Sequence, residues 1–437
     1  MTLERPTVSL VPPPITRPLR GLERAQLAFG GRCYADVVIA EVEGSVELDD
    51  LVRAVGVLAD RHPVLRTEIV GLSGGLTTTS VWTGAAPVGI TDLPVASVVQ
   101  NVLATEFGVG APAWRVVAVP QPGRFHLVLA VHHVLVDGRS LSALLRDLLA
   151  ALSGVSDLGA PLSPPPAALE RGRPPAWARA TLAGLRELWA LRARRDQRHA
   201  ALTGPRLAPE ASAPTWFASR TLDAPRVAAL ADRARAHRAT VGGALVASAH
   251  AATASFLHRR AAASGARTPI ETMVDLRSSL PGAPEVGMFA SGVRALSRRE
   301  RGAFGWDLAA RATARTDRQV AWGVPLLVHA LADLDDPAAF LEARGVDLDA
   351  HGGVGATAQV SNVGRWTGPR NYGSLRLVSV GSATAAVRTG PALMVWLRTV
   401  DGVGTLTAVA NGAVVSREEL DAWLSDVDAR LSSLEGA

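Results

Sequence analysis

The chain of 437 residues is 48% hydrophobic and 19% charged, which fits a packed globular protein of about two domains and excludes wholesale disorder. Its net charge of +5 is carried by arginines that lie among acids rather than in one basic block, so no nucleic-acid partner is expected. There is no lysine for Schiff-base or P-loop chemistry, and the single cysteine, Cys33, excludes an intramolecular disulfide and a thiolate metal cluster.

Residues 1–18 read as an extended, proline-rich lead-in without the apolar core of a signal peptide. CYADVVIAEVEG follows as a strand, with Cys33 as a small core residue. VELDDLVRAVGVLADRHPVLRTEIV carries apolar residues at helical spacing until Pro63 interrupts them. WRVVAVP and FHLVLAVHH, separated by Gln121, Pro122 and Gly123, predict a β-hairpin, and SLSALLRDLLAAL behind it predicts an amphipathic helix. From Gly154 to Pro175 the composition turns proline-rich and reads as a linker. AWARATLAGLRELWALRARRDQRHAAL then predicts a helix whose arginines form a solvated face.

The second half repeats the style of the first. APRVAALADRARAHRATVGGALVASAHAATASFL predicts a helix, a turn at Val241 to Gly243 and a buried alanine-rich helix. PIETMVDLR, TAQVSNVGRW, LRLVSVGS, ALMVWLRTV and GTLTAVANG are strand candidates, and EELDAWLSDVDARLSSL is a terminal amphipathic helix. The expected fold class is α/β, an α+β sandwich in two lobes, divided into residues 1–175 and 176–437. A cleft between the lobes is the expected place for a ligand. No stretch reaches about 18 uninterrupted apolar residues, so a membrane span is not expected and a cytoplasmic location is.

The stretch VLAVHHVLVDGRS combines polar groups at the end of an apolar run. His132 and His133 should point to opposite faces of an extended strand, which argues against their sharing a metal. A histidine where the strand ends projects into a cleft edge, and its ordinary pKa near 6.5 suits it to accept a proton from a hydroxyl or amine. Asp137 stands at the start of the following helix, where its ordinary role is an N-cap. Gly138 removes a Cβ beside the turn. Ser140 falls inside the first helical turn without a G-x-S-x-G elbow, so it does not read as a nucleophile. By composition, H-H-x-x-x-D-G should arise by chance on the order of once in a thousand such chains.

HHVLVDG resembles the HHxxxDG signature of the chloramphenicol-acetyltransferase-like superfamily, which includes nonribosomal peptide condensation domains, polyketide-associated acyltransferases and wax-ester synthases. RHPVLRT, PAWRVVAV, MVDLRSSLP, EVGMFAS and SNVGRW resemble further family segments, spread over nearly the whole chain. The resemblance implies two acetyltransferase-like lobes, the first carrying HHxxxDG and ending in the linker, the second following a linker helix, with a central tunnel between them. It implies that His133 is the general base, with His132, Asp137, Gly138 and Arg277 as structural support of the site. Met288 stands where the family often has asparagine, and Ser361 and Asn362 are candidate channel or oxyanion contacts, with turn chemistry around Gly364 as their other reading.

The function so implied is a free-standing acyltransferase that moves an acyl group from an acyl-CoA or a phosphopantetheine-linked carrier protein to a hydroxyl or amine of a natural-product or lipid acceptor. The donor would be a co-substrate, no cofactor would be held permanently, no metal would be bound, and the chain would act as a monomer. Two alternatives keep the fold: a condensation-like protein that cyclises or rearranges a bound intermediate, and a non-catalytic docking partner.

Overall fold

A computed structural model describes residues 17–19, 21–30, 34–70, 77–80, 87–107, 112–159, 214–260, 268–280, 282–296, 304–328, 357–387 and 390–436. Residues 1–16, Cys33, most of the predicted linker and the whole arginine-rich helix lie outside them. In chain order the strands are Arg17–Pro18 (β1), Ala35–Glu43 (β2), Thr67–Val70 (β3), Thr77–Ser80 (β4), Val88–Ile90 (β5), Trp114–Gln121 (β6), Arg124–His132 (β7), Thr215–Leu222 (β8), Ile270–Asp275 (β9), Ala290–Leu296 (β10), Ala358–Arg365 (β11), Asn371–Tyr372 (β12), Leu375–Thr384 (β13), Leu393–Val400 (β14) and Val403–Asn411 (β15). The longer helices are Gly21–Gly30 (α1), Leu48–Arg61 (α2), Val95–Ala104 (α3), Gly138–Leu152 (α4), Ala224–Ala236 (α5), Val241–Arg259 (α6), Trp306–Ala321 (α7) and Arg417–Glu435 (α8).

Two six-stranded sheets carry the architecture, one in the order β12-β13-β2-β7-β6-β5 and the other β10-β9-β11-β14-β15-β8; β1, β4 and β3 form a small third sheet. The fold is thus α/β in two lobes, as the sequence predicts. The division at residue 175 does not separate the sheets, however. β12 and β13, from the second part of the chain, close the first sheet, with β13 antiparallel to β2.

The hairpin forms because Pro122 and Gly123 cannot continue a strand, and Gly123 takes a positive φ of 73°. β2 is buried on both faces, which explains its nearly continuous apolar run. Val38, Ala40 and Val42 pack with α2 and α4 residues such as Leu51, Leu58 and Leu144. Ala35, Val37 and Ile39 face the other way, into a core shared with Val98 of α3 and with Trp396 and Val409 of the second sheet. Each fully buried side chain of leucine size contributes roughly 1.5–3 kcal/mol. Gly381 lets β13 approach the second sheet, since a Cβ there would lie 3.1 Å from Thr407.

One helix boundary differs from the sequence reading. Val241 to Gly243 are the first turn of α6, and the turn lies before them, where Thr240 Oγ1 caps the helix by accepting from the Gly243 amide at 3.0 Å. The glycines there serve packing: a Cβ on Gly243 would meet Thr313 Oγ1 at 2.1 Å and the Ala309 carbonyl at 2.6 Å, both on α7. Among the described residues no single helix is long and apolar enough to cross a membrane.

Candidate active site

His132 is the last residue of β7 and His133 the first beyond it, so the two diverge as the chain turns. His132 is buried against Phe107, with ring centres 5.4 Å apart, and its Nδ1 accepts from the Val134 amide at 3.2 Å. His133 turns toward the lobe interface, edge-on to the Tyr34 ring at 4.9 Å, with its amide donating to the Tyr34 carbonyl at 2.7 Å. Its Nδ1 lies 2.8 Å from the Val136 carbonyl. A carbonyl only accepts, so Nδ1 carries the proton and Nε2 is left with a lone pair.

Nδ1 of His133 is also 3.6 Å from Oδ2 of Asp36, a carboxylate buried in β2 and held by Thr384 Oγ1 at 2.8 Å. Burial pushes the Asp36 carboxyl above its ordinary value, against the opposing pull of His133, Thr384 and Arg398. Arg398 of β14 is 2% exposed, and burial lowers its guanidinium to about 10 although Asp36 favours its charge. Tyr34 is buried too, which raises its phenol and keeps it neutral.

Asp137 does not face His133. Its Oδ1 caps α4 by accepting from the amides of Arg139 at 3.1 Å and Ser140 at 2.9 Å, and Oδ2 accepts from the Phe289 amide at 2.8 Å. Arg277 grips both oxygens, Nη1 to Oδ2 at 2.9 Å and Nη2 to Oδ1 at 3.2 Å. It also bonds Asp275 at 2.9 Å and the carbonyls of Pro284 and Glu285, and lies over the Phe289 ring. Burial, which pulls the guanidinium down, is outweighed by Asp137 and Asp275, so its value is raised. Ser140 Oγ is buried within hydrogen-bond distance of Asp137, Gly287 and Arg277, which leaves it no free face as a nucleophile.

A small recess opens beside His133. Tyr34, Asp36, Gly138 and Ser361 line it together with an apolar wall that includes Met273 and Trp396. The expected channel residues divide. Ser361 lines the recess, but Asn362 is exposed and its Oδ1 accepts from the Gly364 amide at 3.2 Å, the turn role. A bulge after Asn362, where β11 shifts register against β14 and Gly364 takes a φ of 87°, turns that segment outward. Met288 is 1% exposed and is not among the residues lining this recess, and Gly287 and Phe289 on either side of it are bound to Ser140 and Asp137. Gly138 borders the recess without any backbone need for glycine, and a Cβ there would touch Val363 at an ordinary 3.7 Å.

Sequence reading missed Asp36, Arg398 and Ser382. Ser382 lines the recess and its buried Oγ has no hydrogen-bond partner among the described residues. Each is a buried polar residue in a strand whose neighbouring positions are largely apolar, a signal that sequence carries only weakly because other polar residues share the same strands.

No family model and no curated protein matches the sequence. Solved structures match in fold. The trichothecene 15-O-acetyltransferase TRI3 from Fusarium sporotrichioides superposes with a TM-score of 0.75 at 10% identity, with 96% of each chain covered. Polyketide synthase associated protein 5 from Mycobacterium tuberculosis gives 0.66 at 16% identity, covering 96% of this chain and all of the other. A mutant starter condensation domain of rhizomide synthetase RzmA, in complex with C8-CoA and Leu-SNAC, gives 0.63 at 15% identity over 97% of this chain and 95% of that one. The chain therefore has the two-lobed fold of chloramphenicol-acetyltransferase-like acyltransferases and condensation domains.

Proposed function

We propose that this chain is an acyltransferase in which His133 draws a proton from the hydroxyl or amine of an acceptor as that group attacks the carbonyl of a thioester donor. The observation that carries the reading is the Nδ1 contact to the Val136 carbonyl at 2.8 Å, which leaves Nε2 as the basic nitrogen of a ring that lines the recess. The acceptor's oxygen or nitrogen bonds to carbon, the C–S bond breaks, and the proton held on Nε2 passes to the departing thiolate, so no covalent enzyme intermediate is required. Asp36 stabilises the imidazolium through charge at 3.6 Å. Hydroxyls of Ser361 and Ser382 are the candidate donors to the oxygen that becomes negative. The acyl donor is acyl-CoA or a carrier-bound thioester, and the acceptor is a small molecule.

Incubation with a panel of acyl-CoAs and carrier-bound acyl groups, with and without candidate acceptors, tests the reading through release of free thiol. Thiol release that His133→Ala abolishes is the expected result. No release from any donor sinks the transferase assignment, and full turnover by His133→Ala transfers weight to rearrangement of a bound intermediate.

A further inference from the structure

β14 turns the side chains of alternating positions, Met394, Trp396 and Arg398, to one face. Met394 and Trp396 line the His133 recess and pack in the core shared with Ala35 and Val37 of β2, so that face of the second sheet is set against the first lobe. Arg398 therefore brings a guanidinium into an apolar seam. It is almost fully buried, and one of its terminal nitrogens crosses between the lobes to donate to the Gly138 carbonyl at 2.9 Å. That carbonyl belongs to the glycine of the HHVLVDG turn and also accepts from Ser142 Oγ at 2.9 Å.

A hydrogen bond to a carbonyl needs only an N–H, and a glutamine would supply one without the cost of burying a cation. The charge has its match in Asp36. Each of the two favours the ionised form of the other against burial, while Arg139 on α4 opposes the guanidinium. Among the described residues the ion-pair contact of Asp36 is with His133 and not with Arg398, so the attraction reaches it through the buried interior, where charge is weakly screened. The other groups that face the Asp36 carboxyl are His133, the Thr384 hydroxyl of β13, Tyr34 just before β2 and Asp137 at the start of α4. Thr384 and Tyr34 are neutral, Asp137 disfavours a second anion, and His133 is positive only while it holds a second proton. Arg398 is thus the standing cation for Asp36, present before His133 has accepted anything.

We propose that Arg398 is a positioning residue of the His133 site: from the second lobe it braces the Gly138 turn and supplies the counter-charge of Asp36, so the base is complete only when the two lobes lie together. The inference rests on the transferase reading for its purpose and on the surroundings of Arg398 for its structure. Asp36 helps an imidazolium only as a carboxylate, and burial alone favours its neutral form. A guanidinium, charged at neutral pH, removes that difficulty. The proton that His133 takes up then meets a carboxylate already present, and none has to leave Asp36 first. Asp36 and His133 are held by the first sheet and Arg398 by the second, so separation of the lobes withdraws the cation from the base.

Carbon-13 NMR of the full chain labelled at the aspartate carboxyl carbon tests this without substrate, with the Asp36 signal assigned through Asp36→Asn. In the parent the Asp36 carboxyl should be ionised at neutral pH. Arg398→Gln keeps an N–H for the Gly138 carbonyl and removes the charge, and should move the Asp36 midpoint up by at least about one pH unit. Arg398→Lys keeps the charge and should hold the midpoint within about half a pH unit of the parent's. Thiol release, once a donor is found, should fall at least about tenfold at neutral pH in Arg398→Gln and recover as pH rises through the new midpoint, with Arg398→Lys restoring most of it. A neutral Asp36 in the parent at neutral pH, an unmoved midpoint in folded Arg398→Gln, or a rate loss of the same size at every pH overturns the proposal. If Arg398→Gln does not fold, Arg398→Lys decides: a midpoint like the parent's supports the role of the charge, and one higher by about a pH unit or more overturns it. A shifted midpoint in Arg398→Gln with no thiol release from any donor leaves Arg398 as the counter-charge of Asp36 and removes the transferase reading instead.

Discussion

Asp36 and His133 stand 3.6 Å apart because β2 and β7 pair antiparallel in a register that sets Asp36 opposite Val131, two residues before the histidine. The carboxylate is not the hydrogen-bond partner of the imidazole, a place taken by the Val136 carbonyl. When ionised it favours the protonated ring, just as the protonated ring favours the ionised carboxylate against the cost of burial.

Replacing Asp36 with Asn keeps an acceptor for Thr384 and removes the charge. Turnover should fall by about one to two orders of magnitude, with the acceptor KM little changed, because the charge matters once the imidazolium forms. Thiol-release kinetics on folded Asp36→Asn check this, and an unchanged kcat contradicts it.

Asp36 and Asp147 should tilt stability in opposite directions with pH. The folded state holds Asp36 above its ordinary value, so it binds protons that the unfolded chain has lost, and this contribution to stability falls as pH rises from about 4 through the folded value. Burial also raises Asp147, but His62 at 2.7 Å and Arg146 outweigh it and hold the carboxyl low. Its stabilisation is present above about pH 4 and lost as pH falls through the folded value. Thermal unfolding from pH 3 to 8 should show Asp36→Asn losing the first slope and Asp147→Asn the second.

Asp137 and Arg277 join the lobes, and their roles should separate from that of His133. Either alanine substitution leaves the partner's charge buried, with a stability loss of about 3 to 5 kcal/mol and loss of activity together. His133→Ala should unfold like the parent and lose about 10²- to 10⁴-fold in rate. Cooperative unfolding of Asp137→Ala or Arg277→Ala at the parent's denaturant midpoint would refute this division.

Gly243→Ala provides a test of packing. Its methyl would collide with the Ala309 carbonyl, a backbone atom of the facing helix, so α6 and α7 must separate. A loss of at least about 2 kcal/mol in denaturant unfolding is expected. Gly138→Ala, with only an ordinary contact to Val363, should fold as the parent does.

Local signals made much of this molecule legible. Pro63 marked the end of α2, Pro122 and Gly123 marked the hairpin, and the spacing of Leu141, Leu144 and Leu145 marked α4. The motif led to His133, and to Asp137 and Arg277 at opposite ends of one ion pair. What escaped depends on distant parts of the chain. Val241 to Gly243 looked like a turn because glycine's value there lies in how closely Thr313 and Ala309 approach. Ser361 and Asn362 could not be told apart without the bulge that turns the latter outward. Asp36 and Arg398 gained meaning only when their strands brought their charges near enough to act on each other.

The pairing of β13 with β2 has a consequence for biogenesis. Arg376 meets Glu43 across 333 positions of chain, so a ribosome must release the later strand before the first sheet can close. Until then β2 presents an unpaired hydrogen-bonding edge, the kind of surface that invites association with other chains. The nascent first lobe is therefore expected to engage chaperones, and a stalled fragment ending before Leu375 should aggregate where the finished chain does not.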